Sequence, residues 1–417
     1  MLLSPLTVLL ALAAFAAGGK RTPDVVELKD GNKVEGRVVY EDPTLVVVRS
    51  GARDREIALK DVTLVRSRAG DLRLLLDRWN HATPSDAAGM MELARTAEGA
   101  DLVDEARIFA WRALLLDPKQ GDAHKLLGHT LRNGIWTVRE GSKSFPFANL
   151  GEAHKEWKDP WAFGSTHYNV RTNLDLRHSI DMVLELECFY RIFFDVFGPE
   201  LKLYDVVDPM NAEVHADKQS FPAQVSYRDA YFDAPTNTLF VNAANGLDRR
   251  VLFHEATHEI LFNTAVRTKG SRGEIPGWLH EGLAEYMAWC MQGSDGHPAF
   301  VAGAIAPGHF RIQADARTPF DLARVLNFSS GDFMASSLSD LKYAEAYTLV
   351  HFLMHGDGGR HRQGFLDFVR GAYKGQASST HFRDALGGHE RELEAAWVTY
   401  VKQTAGGEAP PKASPKR

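Results

Sequence analysis

The chain has too few cysteines to be held together by them. With two in 417 residues, Cys188 and Cys290, it can form neither a disulfide-rich scaffold nor a four-thiolate zinc site. One bridge or two buried thiols are the remaining options. An excess of either charge is also missing. Lys and Arg number 48 against 54 Asp and Glu, a net charge of −6, which offers no basic footprint for nucleic acid. Beyond the first stretch, no run is long and apolar enough to suggest a membrane span. What is present is a globular composition, 44% hydrophobic and 24% charged, on a length that accommodates two or three domains without disulfide support.

The opening MLLSPLTVLLALAAFAAGG is uncharged in its side chains and ends in small residues. Ala14-Phe15-Ala16 fits a small-x-small cleavage site, so residues 1–17 are expected to be a signal peptide, with an uncleaved anchor as the alternative. No cysteine follows the apolar run, which excludes lipid attachment there. The expected location is secreted or periplasmic, with no integral membrane domain after cleavage.

Residues 18–69 read as a small β domain. Short strands are expected at Val25–Leu28, Lys33–Tyr40, Leu45–Val48, Glu56–Ala58 and Val62–Val65, with Asp30-Gly31 and Ser50-Gly51 as turns. So short a segment buries little by itself, and the strands are expected to curl into a barrel-like unit similar to SH3-like or Sm-like barrels. Residues 70–132 switch to helical period, and Ala113–Gly128 resembles a tetratricopeptide-repeat junction. They read as a short repeat-like helical spacer. Residues 133–165 are aperiodic and read as a linker. These N-terminal modules are where a protein partner is expected to dock. In 166–403, strands near Tyr168–Thr172, Lys202–Val207, Val225–Phe232 and Thr238–Asn242 and a buried helix Leu174–Phe197 precede a mainly helical region from Arg249. The Pro/Gly/Lys-rich tail 404–417 is expected to be disordered. The fold class is α+β and multidomain, with a small mixed sheet before the helical region.

Chemistry concentrates in that region. In His254-Glu255-Ala256-Thr257-His258, a helix puts both histidines on one face, able to bind Zn²⁺, with Glu255 beside them as general base. Downstream, Pro276 suits a first helical turn, and Glu281 and Glu285 stand four residues apart on one helix face. Near zinc their roles separate. Glu281 completes a His₂Glu ligand set, and Glu285 accepts the outer N–H of a ligand histidine and fixes its tautomer. Gly282 is expected to let the two helices approach each other closely.

His254-Glu255-x-x-His258 followed by Trp278-Leu279-His280-Glu281-Gly282-Leu283-Ala284-Glu285-Tyr286 resembles the gluzincin metallopeptidases. Residues from about 167 to 400 resemble more closely a peptidase-like domain family of exported bacterial proteins. The resemblance implies a zincin-type domain in the cell envelope, one Zn²⁺ on His254, His258 and Glu281, Glu255 as catalytic base, and a peptide or protein substrate. It also implies a tyrosine in a downstream helix as oxyanion donor, for which Tyr343 and Tyr347 are the candidates. The aminopeptidase branch has an upstream Gly-x-Met-Glu-Asn-type block that grips the substrate amine. The comparable segment here, Ala234–Asn242, has no acidic residue, so endopeptidase-like cleavage is the expectation. The strand Thr238–Asn242 could then pair with a peptide backbone at a sheet edge, and Gly293–Phe320 could border the cleft. The rival readings are a catalytically silent zincin-fold binding protein and an envelope structural protein. The intact Glu255 argues against the first, and the lack of an evident fourth ligand against the second.

Overall fold

The computed structural model describes residues 22–222, 228–267, 275–293, 297–335 and 337–407. The expected signal segment, the start of the expected strand Val225–Phe232, residues 269–274 and most of the expected tail lie outside these. The chain divides into two compact units. The first takes the chain up to Arg191 with Asp205–Leu247 and Asp295–His297, and the second takes Ile192–Tyr204, Asp248–Ser294 and Pro298 onward.

The first unit begins with β1 (Asp24–Leu28), β2 (Lys33–Glu41), β3 (Leu45–Ser50), β4 (Arg53–Ala58) and β5 (Val62–Arg66). Period-two alternation puts Val26, Val34, Val38, Val46, Val48 and Ile57 on one buried face. The expected barrel-like closure does not occur. The strand order is β4-β3-β2-β1-β5, so β4 and β5 are opposite edges of an open sheet. Barrel closure needs those two to pair, and β4 instead presents Arg53-Asp54-Arg55-Glu56, charged chemistry that suits an exposed edge.

Helices α1 (Arg68–His81), α2 (Ala87–Gly99) and α3 (Val103–Leu116) follow. The Ser67 and Asp86 side chains cap the first two. A short α4 (Gly121–Leu126) comes next, after which the chain leaves the helical period and forms the antiparallel sheet β6 (Thr130–Arg132), β7 (Ile135–Glu140) and β8 (Lys143–Pro146). This sheet occupies much of the stretch read as a linker. Asn133 and Gly134 both adopt positive φ at its first turn, the geometry a tight hairpin demands.

A second five-stranded sheet uses β9 (Trp161–Gly164), β10 (Tyr168–Thr172), β11 (Met210–His215), β12 (Ala230–Asp233) and β13 (Thr238–Asn242), with helix α5 (Leu176–Leu201) between β10 and β11. The order is β12-β13-β11-β10-β9. The three central strands run parallel and both edges antiparallel. Two expectations fail here. Lys202–Val207 forms no strand: Asp205 N–H bonds Val39 O and Val206 N–H bonds the Tyr190 hydroxyl, so these two donors are satisfied outside any ladder. Thr238–Asn242 is a strand but an interior one, hydrogen-bonded to β11 and β12, so it has no free edge for a peptide backbone.

The second unit is mainly helical: α6 (Arg249–Arg267), α7 (Gly277–Cys290), α8 (Pro307–Ala314), α9 (Ser339–His355), α10 (Arg362–Ala372) and α11 (Glu390–Ala405). A two-stranded hairpin, β14 (Met291–Gln292) with β15 (Ala299–Phe300), lies between α7 and α8. The segment Gly293–Phe320 therefore carries a strand and a helix. Helix α7 packs against both α6 and α9. Gly282 serves the second contact. A Cβ there would stand 2.6 Å from Ala346 O and 2.8 Å from Val350 Cγ2, so its missing side chain admits α9, not α6. Gly282→Ala should destabilise the protein by about 1–3 kcal/mol, since the backbone carbonyl cannot give way as a flexible side chain could. An unchanged midpoint in urea denaturation would refute that placement. Cys188 and Cys290 are buried free thiols. Among the described residues no helix is long and apolar enough to cross a membrane.

Candidate metal centre

Asp248 starts α6 by accepting the Arg250 N–H at 2.9 Å, and the helix then presents Arg250, His254 and His258 at four-residue spacing on one face. Helix α7 presents Glu281, Glu285 and Trp289 at the same spacing. The two faces pair in reverse order. His258 Nε2 meets Glu281 Oε2 at 3.3 Å, His254 Nδ1 meets Glu285 Oε1 at 3.0 Å, and the Arg250 guanidinium lies 4.8 Å over the Trp289 ring. The helices therefore run antiparallel, with the polar pairs stacked as rungs.

The lowest rungs hold the metal-capable group. His254 Nε2 lies 3.1 Å from His258 Nε2 and 3.3 Å from Glu281 Oε2. Among the described residues, His254, His258 and Glu281 are the one set of three such donors gathered this closely. Two observations show that they fit a cation. Ligands on a tetrahedral ion at about 2.0 Å stand about 3.3 Å apart, which matches the donor triangle. Glu281 Oε2 is also buried without a geometrically sound hydrogen bond, lying only at 3.3 Å from the two histidine Nε2 atoms, a costly arrangement for a carboxylate oxygen that meets no ion. The His258 ring is held by stacking on His280, with centroids 4.1 Å apart and an interplanar angle of 12°.

Glu285 is a hub. Its Oε1 accepts His254 Nδ1–H, which makes Nε2 the lone-pair nitrogen when the ring is neutral, and its Oε2 accepts Trp289 Nε1–H at 3.2 Å and His309 Nε2–H at 2.9 Å. Burial alone would raise the Glu285 pKa, but the N–H groups of His254 and His309 hold it far below the ordinary carboxylate range. His309 was not expected from the sequence. It is a solitary histidine in the segment read as a possible rim, and only its tertiary contact shows its relevance.

The remaining expected residues separate. Glu255 and Tyr343 line a cavity of about 330 Å³ together with His254, Glu285, Trp289 and His309. The Tyr343 ring centroid is 6.2 Å from that of His254. Tyr347 does not line the cavity. Its buried hydroxyl donates to Ala304 O and accepts from Ala306 N–H, each at 3.0 Å, so its hydrogen-bonding capacity is used by backbone. His351 is likewise occupied, by Tyr400 and Gly303.

Protons compete for this site. Burial opposes charge on His254, yet the Glu281 and Glu285 carboxylates beside it raise its pKa well above 6.5 in the ion-free protein. A cation binding near neutral pH must therefore displace a proton. Apparent affinity for a divalent cation should rise about tenfold per pH unit until the His254 pKa is passed, then level off. Calorimetry in buffers of differing ionisation enthalpy counts the released proton; pH-independent affinity between pH 5 and 7 would contradict the arrangement.

Residues 250–374 match a family model described as "Protein of unknown function (DUF1570)". The match covers less than a third of the chain, but it spans the donor triangle, Glu285, His309 and both tyrosines. No curated protein matches the chain.

Proposed function

We propose that the second unit is a zinc-dependent peptide hydrolase of the gluzincin type, working by direct attack of water. The observation that carries this reading is the donor triangle of His254, His258 and Glu281 beside a cavity whose wall includes Glu255. A bound zinc ion supplies Lewis acidity, polarising a carbonyl and acidifying water. The chain's own residues do the rest. Glu255 takes a proton from the attacking water and returns it to the leaving amine. Tyr343 is the better-placed donor for the developing oxyanion, because it faces the cavity whereas the Tyr347 hydroxyl is spent on backbone. Glu285 keeps His254 in the ligating tautomer. No covalent enzyme intermediate is needed.

Endopeptidase-like cleavage is the favoured mode, and it rests on the lack of an acidic residue in Ala234–Asn242; backbone pairing with β13 forms no part of it. The apolar opening of the sequence supports action outside the cytoplasm, in a cell envelope. The direct test is turnover of an unbiased peptide library by zinc-loaded and chelator-treated protein. New amino termini that appear only with zinc support the assignment. A zinc-loaded protein that cleaves nothing would favour a binding role for the same fold.

A further inference from the structure

We propose that His309 is a positioning residue of the metal centre, holding the Glu285 carboxylate that in turn orients His254. The inference rests on the metal reading of the cluster and is independent of peptide hydrolysis. Glu285 receives three N–H groups, and they are not equivalent. His254 is itself a ligand. Trp289 is one turn along the same helix, and its tie to α6 is the Arg250 guanidinium over its ring, a contact without a directed hydrogen bond. His309 reaches the carboxylate from α8, an element separate from both ligand helices.

An anchor must itself be fixed, and α8 is tied to α9 at several points. The Tyr347 hydroxyl bridges Ala304 O and Ala306 N–H immediately before α8 begins. His351 Nε2 lies 3.3 Å from Gly303 O, while its other nitrogen bonds the Tyr400 hydroxyl at 2.8 Å. Within α8, Gln313 bonds Thr348, and Phe310 packs edge-on against Tyr347 at 5.9 Å. Tyr347 thus acts on the centre only indirectly: it sets the start of α8, α8 sets His309, and His309 sets Glu285. Without the His309 N–H, Oε2 keeps only a partner from its own helix, and the carboxylate can rotate away from His254 Nδ1.

A packing role must be separated from this one, because the His309 ring also lies edge-on to Tyr347 at 5.0 Å and to Trp289 at 5.8 Å. The full chain is therefore compared as wild type, His309→Leu and His309→Gln, each also with Glu285→Gln. Leu keeps bulk without a donor, whereas Gln can place an amide N–H near the Nε2 position. Zinc affinity is read by chelator competition, site geometry by the visible spectrum of the Co²⁺ form, and folding by thermal midpoint. His309→Leu should weaken zinc binding by about 10–100-fold, and His309→Gln should recover most of it. With Glu285→Gln already present, His309→Leu should cost less than about twofold more, since both changes break one connection. Equal losses in the two backgrounds, or full affinity in His309→Leu, would overturn the proposal. If His309→Leu does not fold, His309→Asn replaces it: its shorter amide should fall below Gln, and equality of the two would overturn the proposal. Zinc binding with the expected pattern but no peptide cleavage would remove the hydrolase reading and leave His309 in place. A wild-type chain that binds neither Zn²⁺ nor Co²⁺ would overturn both.

Discussion

Glu255→Gln should lower kcat on any peptide the wild type cleaves by about 10²–10⁴-fold, with zinc stoichiometry and thermal midpoint unchanged. Gln keeps the size of Glu and can still hydrogen-bond, but it cannot take a proton from water. Glu255 lines the cavity and stands outside the donor triangle, so the loss should fall on kcat, with KM little altered. Stopped assays on the best library peptide, with zinc measured in the same samples, decide the matter. Undiminished hydrolysis at full zinc occupancy would mean another base or another active site, and the HExxH helix would then only hold metal.

Glu281→Gln should have the largest effect on metal. It removes the one anionic member of the donor triangle and leaves two imidazoles to hold a dication. Zinc affinity should fall by more than about 100-fold, beyond the 10–100-fold loss that Glu285→Gln causes by loosening an orienting contact. Raising zinc should restore Glu285→Gln substantially and Glu281→Gln poorly. Burial would push the Glu281 pKa up, but His258 and His254 bring it well below the ordinary range in the ion-free protein. That stabilisation is present above the ordinary carboxylate pKa and is lost as pH falls through the lowered one. Chelator competition across a zinc series orders the two variants; equal affinities would mean Glu281 is no ligand.

The parts of the centre that the sequence made legible share one property. For His254, His258, Glu281 and Glu285, the spacing between functional groups is the helical period itself, so motif and geometry are the same fact. His309 has no such signature. It acts through a contact 24 residues away in the chain, set by how α8 docks on α9, and nothing in Pro307–Ala314 encodes that docking locally. The same distinction runs through the sheets. Thr238–Asn242 was readable as a strand, but its neighbours are chosen by long-range pairing, so its interior position was not. The first five strands were readable too, whereas closure depended on a β4–β5 pairing that no local pattern specifies. The β6–β7 hairpin is a different case: Asn133-Gly134 is a strong turn signal, but the short strands around it lack a clear alternation to mark them.

The antiparallel rungs of α6 and α7 put the whole centre in one rotational phase. One residue inserted within either helix, between two rungs, would turn everything beyond it by about 100°. An insertion after Glu281 would swing Glu285 and Trp289 off the face that meets α6 while Glu281 stayed in place. A deletion would do the same in the opposite sense. Substitutions remove the groups of this centre one at a time, but a single-codon length change inside either helix separates ligand from orienting partner at a stroke. The stretch from Arg250 to His258 and that from Glu281 to Trp289 should therefore accept no change in length.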